Sequence, residues 1–416
     1  MHGLFRGVMT VGALSAASAA YAGGYDTPIL YSAEHMGMGG AAIGYVDDPS
    51  AMFHNPAGLM GTKGLSLMAN LTLVTGYIQS SPADTQPNEE SESLLAVAPL
   101  VGVSYDVNDV VAFGLAFYPV ASAGAEYLYT NNGNNIDERN FTAVRFLEFS
   151  PGVAFKIPGT NLSIGAGYRV SIVQLDRYLG PEDKADGSPT FDVAMSGANF
   201  TGFRLGLQWQ PIPELELGFV YRSLTRTEIT ADKGFVLDAA TDISTEFTLP
   251  AKMGFGVRAN LDPIAIVLDI EYGFYSDNER NEFKRTPVDP NSPFAAIPVV
   301  NVSKWDDALT LRAGVEYGVD NRWFFRGGFL WDGKVSQEDY PSAFGTPPTS
   351  STTITAGVGY KCEDNWKLNF AVAHRFAGTE VEKSPDEGCI PCSANGDYSL
   401  TMTGFYLDFM YAFPDL

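Results

Sequence analysis

From Gly64 onward the chain repeats one unit, a stretch of alternating apolar and polar side chains followed by a connection, and short and long connections take turns. The short ones are Asp106-Val107-Asn108-Asp109, Ile157-Pro158-Gly159-Thr160, Pro211-Ile212-Pro213-Glu214, Asn260-Leu261-Asp262-Pro263, Val319-Asp320-Asn321 and Cys362-Glu363-Asp364-Asn365. Each is dense in Pro, Gly, Asn or Asp, the residues that tight reversals need. Seven longer polar connections lie between them, at about 79–92, 121–141, 177–196, 228–242, 277–301, 334–349 and 381–397. Six turns and seven loops join 14 strands. A soluble sandwich has no reason to alternate its connections so regularly. Membrane barrels do, with short periplasmic turns and longer extracellular loops.

The faces of the strands agree. In the last one Phe405, Leu407, Phe409, Tyr411 and Phe413 share a side, with Gly404, Tyr406, Asp408, Met410 and Ala412 opposite. Ile264, Ile266, Leu268 and Ile270 likewise oppose Asp269 and Glu271. An apolar outer face and a charged inner face imply lipid outside and water or polar packing inside. In lipid every backbone polar group needs an internal partner, so the sheet must close. The chain is 45% apolar and 12% aromatic, yet its mean hydropathy is near neutral because the two faces cancel. Beyond the N-terminal leader no run reaches the roughly 18 apolar residues that a helical span requires. The expected fold is all-β, a 14-stranded antiparallel transmembrane β-barrel.

The leader reads as a signal peptide over residues 1–22: Arg6 is its positive end, Val8 to Ala20 its apolar stretch, and Ala20-Tyr21-Ala22 its cleavage site before Gly23. It is too short and too rich in Ala and Ser for a membrane anchor, and no Cys follows the cleavage site, which argues against a lipoprotein. A net charge of -23 argues against nucleic-acid or anionic-lipid binding, which would call for clustered Lys and Arg. Acids such as Glu89, Glu90, Glu92, Asp183 and Asp186 crowd the long loops, as a solvated surface or as sites for divalent cations near lipopolysaccharide. Cys389 and Cys392 form a C-x-x-C in one loop and are read as a small disulfide in an oxidising compartment; two thiols are too few for structural zinc. No metal and no cofactor are expected. His2, His35, His54 and His374 make no nucleophile–base pattern with any Ser or Cys, so no enzymatic activity is expected, and His54 beside Phe53 reads as a hydrogen-bonded structural residue.

An even strand count puts both chain ends on the periplasmic side, so residues 23–63 begin beneath a barrel spanning 64–416 and can fold up as a plug, or hatch, into a bore wider than its side chains fill. Two helical turns are predicted there, with Asp48 as N-cap and Pro49 at the first position, then Asn55 and Pro56 repeating the device with Gly58 as the stop. Gly37, Gly40, Ala41, Asp47, Asp48, Pro49, Ser50 and Ala51, followed by Asn55-Pro56-Ala57-Gly58 before a 14-stranded barrel, resemble the FadL/TodX family of outer-membrane transporters of long-chain fatty acids and other hydrophobic compounds. The resemblance covers essentially the whole mature chain. The chain departs from many outer-membrane barrels by ending Phe413-Pro414-Asp415-Leu416, so that insertion machinery would read Phe413 internally.

That resemblance implies passive transport in the bacterial outer membrane. A hydrophobic molecule is captured among the loops, binds in the lumen, and leaves laterally into the bilayer when the plug moves. A fatty-acid carboxylate would need a lumen cation. Arg169, Arg204, Arg222, Arg258, Arg312, Arg326 and Arg375 point inward by alternation, as does Lys367, and each has an ion pair with a lumen acid such as Glu148, Glu216, Asp269, Glu271, Glu316 or Asp408 as its competing reading. In the family a kink in the third strand makes the lateral gate, which here points to Gly114 through Pro119, because Pro cannot donate to a ladder and Gly weakens it; a Pro that simply ends a strand is the competing reading. The expected partners are outer-membrane lipid and lipopolysaccharide and a hydrophobic small molecule, with no nucleic acid, around a monomer. Related barrels serving as structural, adhesive or secretion-system components are the alternative, and a general aqueous porin, which a plug disfavours, is a third reading.

Overall fold

The computed structural model describes residues 31–83, 86–345, 347–362, 365–382 and 395–413; the expected signal peptide and the expected Cys389–Cys392 disulfide lie outside them. Nineteen ladder segments make up fourteen walls. β1 (Leu65–Ser80), β2 (Glu89–Glu90 with Leu94–Asn108), β3 (Val111–Thr130), β4 (Asp137–Lys156), β5 (Leu162–Pro181) and β6 (Phe191–Ile212) come first. β7 (Leu215–Arg222, Thr225–Val236), β8 (Asp238–Leu249, Lys252–Leu261), β9 (Ile264–Gly273, Arg280–Pro287) and β10 (Val299–Val302, Ala308–Val319) each run in two pieces. β11 (Trp323–Asp332), β12 (Ser351–Cys362), β13 (Trp366–Val381) and β14 (Gly396–Phe413) complete the wall. All neighbours are antiparallel, and β14 returns to β1 in register from Leu65 opposite Phe413 to Gln79 opposite Ser399. No edge remains. No helix among the described residues is long and apolar enough to cross a membrane.

Parity alone sets the faces. Phe405, Leu407 and Phe409 are 41%, 44% and 48% exposed, while Tyr406 and Asp408 between them are 3% and 1%. Among the described residues, the tight turns at 106–109, 157–160, 211–214, 260–263 and 319–321 fall where Pro, Gly, Asn and Asp cluster. The long connections are shorter than their polarity predicts: β3 runs to Thr130 and β4 starts at Asp137, so most of 121–141 is strand, and between β7 and β8 Leu237 separates Val236 from Asp238, so most of 228–242 is strand too. Ladder hydrogen bonds are made by the backbone and are indifferent to side-chain polarity. The walls therefore continue above the apolar band as paired polar ribbons.

Residues 31–61 lie inside the bore. Their hydrogen bonds reach walls on every side: Glu34 N donates to Asp408 Oδ2 on β14 (3.1 Å), Gly39 N to Thr355 Oγ1 on β12 (3.0 Å), Ala42 N to Asp269 Oδ2 on β9 (2.8 Å), and Asn55 Nδ2 to the Leu207 carbonyl on β6 (3.0 Å). Only a segment within the cylinder can touch all of these. After a short helix α1 (Ala33–Met36) come two 3-10 turns, Pro49–Met52 and Pro56–Gly61. Asp48 caps the first by accepting from Ser50 N, and Asn55 caps the second by accepting from Ala57 N, each with Pro at the first position. Gly58 does not stop the second turn, which continues to Gly61. It is needed instead for close approach, because a Cβ there would sit 2.4 Å from the Val46 carbonyl oxygen.

Candidate functional site

The inward face of the barrel changes character with height. Along β5 the inward series is Arg169, Ser171, Val173, Leu175, and along β4 Ser150 and Glu148 give way to Phe146 and Val144. Together with Ile229, Ile243 and Phe247 of β7 and β8 these side chains form a buried apolar upper layer, with Phe146 and Phe247 edge to face at 6.2 Å. Beneath it lies a charged layer, and beneath that the inner segment. Sequence reasoning found the cations but missed the apolar layer. Its signal was present, because Val170 to Leu175 holds apolar side chains on both faces at once, which a wall between lipid and water would not.

Most inward cations are paired. Arg169 and Glu148 are both fully buried and in direct contact. Arg258 meets Glu316 at 2.8 Å and Glu216 at 3.8 Å, Arg312 meets Glu271 at 3.2 Å, and Arg375 meets Asp332 at 3.0 Å. Two cations hold the inner segment: Arg326 bridges Glu316 (2.7 Å) and Glu34 (3.5 Å), and Lys367 reaches Asp47 (3.3 Å). Arg222 donates to the Pro250 carbonyl at 2.8 Å. Arg204 has no carboxylate within ion-pair distance among the described residues. It donates to the Met52 carbonyl and, at 3.0 Å, to the Tyr118 hydroxyl, with the Phe53 ring 5.6 Å away. Replacing Arg169 by Met would leave the Glu148 carboxylate buried without a counter-charge, and is expected to destabilise the barrel by roughly 3–5 kcal/mol. The heat-modifiable gel mobility of the purified protein measures this, and adding Glu148→Leu should recover most of the loss.

Above the charged layer the wall is interrupted. β2 and β3 pair from Asn108 opposite Val111 up to Val101 opposite Phe117 and no further. Leu94–Leu100 stays paired with β1, and Tyr118 onward pairs with β4 across a bulge in which Pro119 opposes Leu147, Ala121 opposes Phe146, and Val120 is extra. At the top Glu92 N donates to the Glu126 carbonyl at 2.8 Å and closes the frame. The resulting opening is edged by small or apolar buried side chains, Leu94, Ala96, Ala98, Val120, Ala121 and Ala123. Pro99, which the sequence reading passed over, and Pro119 stand on opposite edges, each without an N–H to offer a ladder. Gly114 is not at the break. It sits in regular pairing with Ser104 and Gly152, and its missing Cβ makes room for Leu59, which a Cβ would approach to 2.6 Å.

The inner segment touches the opening directly. Tyr31 donates its hydroxyl to the Pro119 carbonyl at 2.9 Å, and the Tyr31, Phe53 and Tyr118 rings stack within 5.1–6.1 Å of one another. Beside them the His35 and His54 rings are 5.2 Å apart. Burial, and then the neighbouring His35, Arg312 and Arg204 charges, hold the His54 imidazole well below its usual range. His54 therefore sits there neutral. His374 is an exposed outer residue against Thr403, and Cys362 carries a free thiol at the foot of β12.

Comparison with known proteins places this architecture. No curated protein sequence matches the chain. Among solved structures, a FadL homologue from Pseudomonas aeruginosa superposes with a TM-score of 0.72 at 15% identity, over 94% of this chain and 100% of that one. The toluene transporter TodX of P. putida gives 0.66 at 18% identity over 92% and 99% of the two chains, and the Ralstonia pickettii toluene transporter TbuX 0.65 at 18% over 92% and 98%. Identities this low speak to the fold alone. The family model described as outer membrane protein transport protein (OMPP1/FadL/TodX) matches residues 13–413, and this closed 14-stranded barrel belongs to that family of bacterial outer-membrane transporters of hydrophobic compounds.

Proposed function

We propose that this barrel carries long-chain fatty acids or other hydrophobic compounds passively across the outer leaflet, along the apolar upper layer and through the opening between β2 and β3 into the bilayer. One observation carries the reading: a single contiguous apolar cluster includes the layer residues Phe146, Val173, Leu175 and Phe247 and the edge residues Leu94, Ala96, Val120 and Ala121. A hydrophobic guest can move along it without meeting the charged layer below. Transfer runs downhill, since each methylene buried in lipid is worth about 0.8 kcal/mol, and no energy source is needed.

Residues 23–63 act as the plug in this reading, with 1–22 removed as a signal peptide. The Tyr31 bond to Pro119 makes plug position and opening one coupled element. For an anionic guest Arg204 is the best placed cation, because Glu148, the acid nearest to it in the charged layer, is already engaged by Arg169. Pairing of the first strand with the last leaves no terminal strand to recruit a second copy, which supports a monomer surrounded by outer-membrane lipid and lipopolysaccharide. The test is growth on, or uptake of, oleate and an aromatic hydrocarbon by cells lacking their own transporter. Restored uptake of at least one is expected; rescue of neither would leave a structural or adhesive barrel.

A further inference from the structure

Three cations stand in a row across the inner wall. Arg204 on β6 pairs in register with Arg222 on β7, and Arg222 pairs with Lys252 on β8. Like charges directly opposite one another on a sheet are destabilising, so the arrangement calls for a compensating charge. Two strands on, Arg312 on β10 lies opposite Asp269 of β9. All four cations are more than nine-tenths buried, and with His54, Phe53, Gly40 and Ile43 of the inner segment they line a cavity of about 50 Å³ that also takes in Asp269 and Glu271.

The two carboxylates are committed. Glu271 Oε1 is shared by Lys252 (3.1 Å) and Arg312 (3.2 Å). Asp269 Oδ2 accepts the backbone N–H groups of Ala42 (2.8 Å) and Ile43 (3.0 Å). Four positive and two negative side chains thus line the cavity. Two buried nitrogens on the cavity wall, Arg312 Nε and His54 Nε2, have no hydrogen-bond partner among the described residues. The guanidinium N–H is a donor in every state, and the imidazole nitrogen is one in the tautomer that carries its proton there. The net charge and the orphan donors ask for the same thing: a species that accepts hydrogen bonds and carries negative charge.

Size narrows the class. The cavity is several times the roughly 10–15 Å³ that admits one water, yet far below the about 300 Å³ at which pockets for organic ligands begin. An acyl chain does not fit. A divalent cation is repelled by the net charge. We propose that this cavity is a binding site for a small inorganic anion of the halide class, which joins the inner segment, through His54, to walls β6, β7, β8 and β10. The site shares Arg204 with the carboxylate contact proposed above but lies apart from the apolar layer and the opening, and its test does not depend on which compound is carried.

Crystals of the full chain soaked in sodium bromide test the placement. An anomalous peak is expected between Arg312, His54 and the Arg204–Arg222–Lys252 row at millimolar bromide. Its absence, or a peak only at molar bromide, overturns the proposal. Two conservative variants then test the cause through the bromide concentration that half-saturates the peak. Lys252→Gln removes one excess positive charge and should raise that concentration at least tenfold, whereas Glu271→Gln adds one and should leave it unchanged or lower it. Equal weakening by both variants would point to packing rather than charge and would also sink the assignment. Uptake of hydrophobic compounds does not enter either readout.

Discussion

Deleting Val120 is expected to close the opening and lower uptake of the hydrophobic substrate by an order of magnitude or more, while the protein still assembles as a barrel. Val120 is the extra residue of the bulge: Pro119 faces Leu147, Ala121 faces Phe146, and nothing opposes Val120. Its removal keeps parity on both sides, because Ala121 then takes the inward place after outward-facing Pro119, and the ladder with β4 becomes continuous. A bulge bends its strand and adds local twist. Without it β3 can run straight beside Leu94–Leu100 of β2 and extend the pairing that now stops at Val101 and Phe117. Uptake by cells carrying equal amounts of wild-type and deleted protein, with heat-modifiable mobility as the check on folding, decides the matter. Undiminished uptake in a folded barrel would exclude this opening as the exit.

Replacing Asn55 by Leu should free the inner segment from the wall and turn a sealed barrel into a leaky one. The side chain is fully buried. Its Nδ2 reaches the carbonyls of Ile43 (2.9 Å), Leu207 (3.0 Å) and Phe219 (3.4 Å), and its Oδ1 accepts from Ala57 N (3.2 Å). One amide therefore caps a 3-10 turn and ties the segment to itself and to β6 and β7. Each buried partner left unsatisfied costs about 1–3 kcal/mol, so the loss is several kcal/mol on a segment of some thirty residues. Greater sensitivity of cells to large hydrophilic antibiotics is expected together with reduced hydrophobic uptake. Wild-type values for both would remove Asn55 from the role of anchor.

Both experiments act on features that the sequence announced unequally. Asn55-Pro56 and Asp48-Pro49 were legible as caps because a cap depends on residues two apart in the chain. The wall count was legible for a similar reason, since a tight turn is written in four consecutive residues. Pro119 was visible as a fault in β3, but its meaning was not, because the same proline can simply end a strand. Only the loss of pairing with Pro99's strand distinguishes an opening from an ending. Gly114 shows the converse: a glycine that weakens a strand in isolation is here a socket for Leu59, and the residue that fills it cannot be inferred from the strand itself. Tyr31, which bonds to Pro119 88 positions away, carried no local signal.

What the sequence by itself determined is which side of the wall each residue faces, how many walls there are, and where the chain turns, because parity and turn chemistry are properties of neighbours along the chain. What only the tertiary structure decided is who meets whom across the bore. Closure brings Glu34 to Asp408 over 374 residues, leaves Arg204 without an acid while Arg169 keeps one, and shares Glu271 between two cations. A closed cylinder sets every inward side chain against all the others at once, and a one-dimensional pattern holds no record of that.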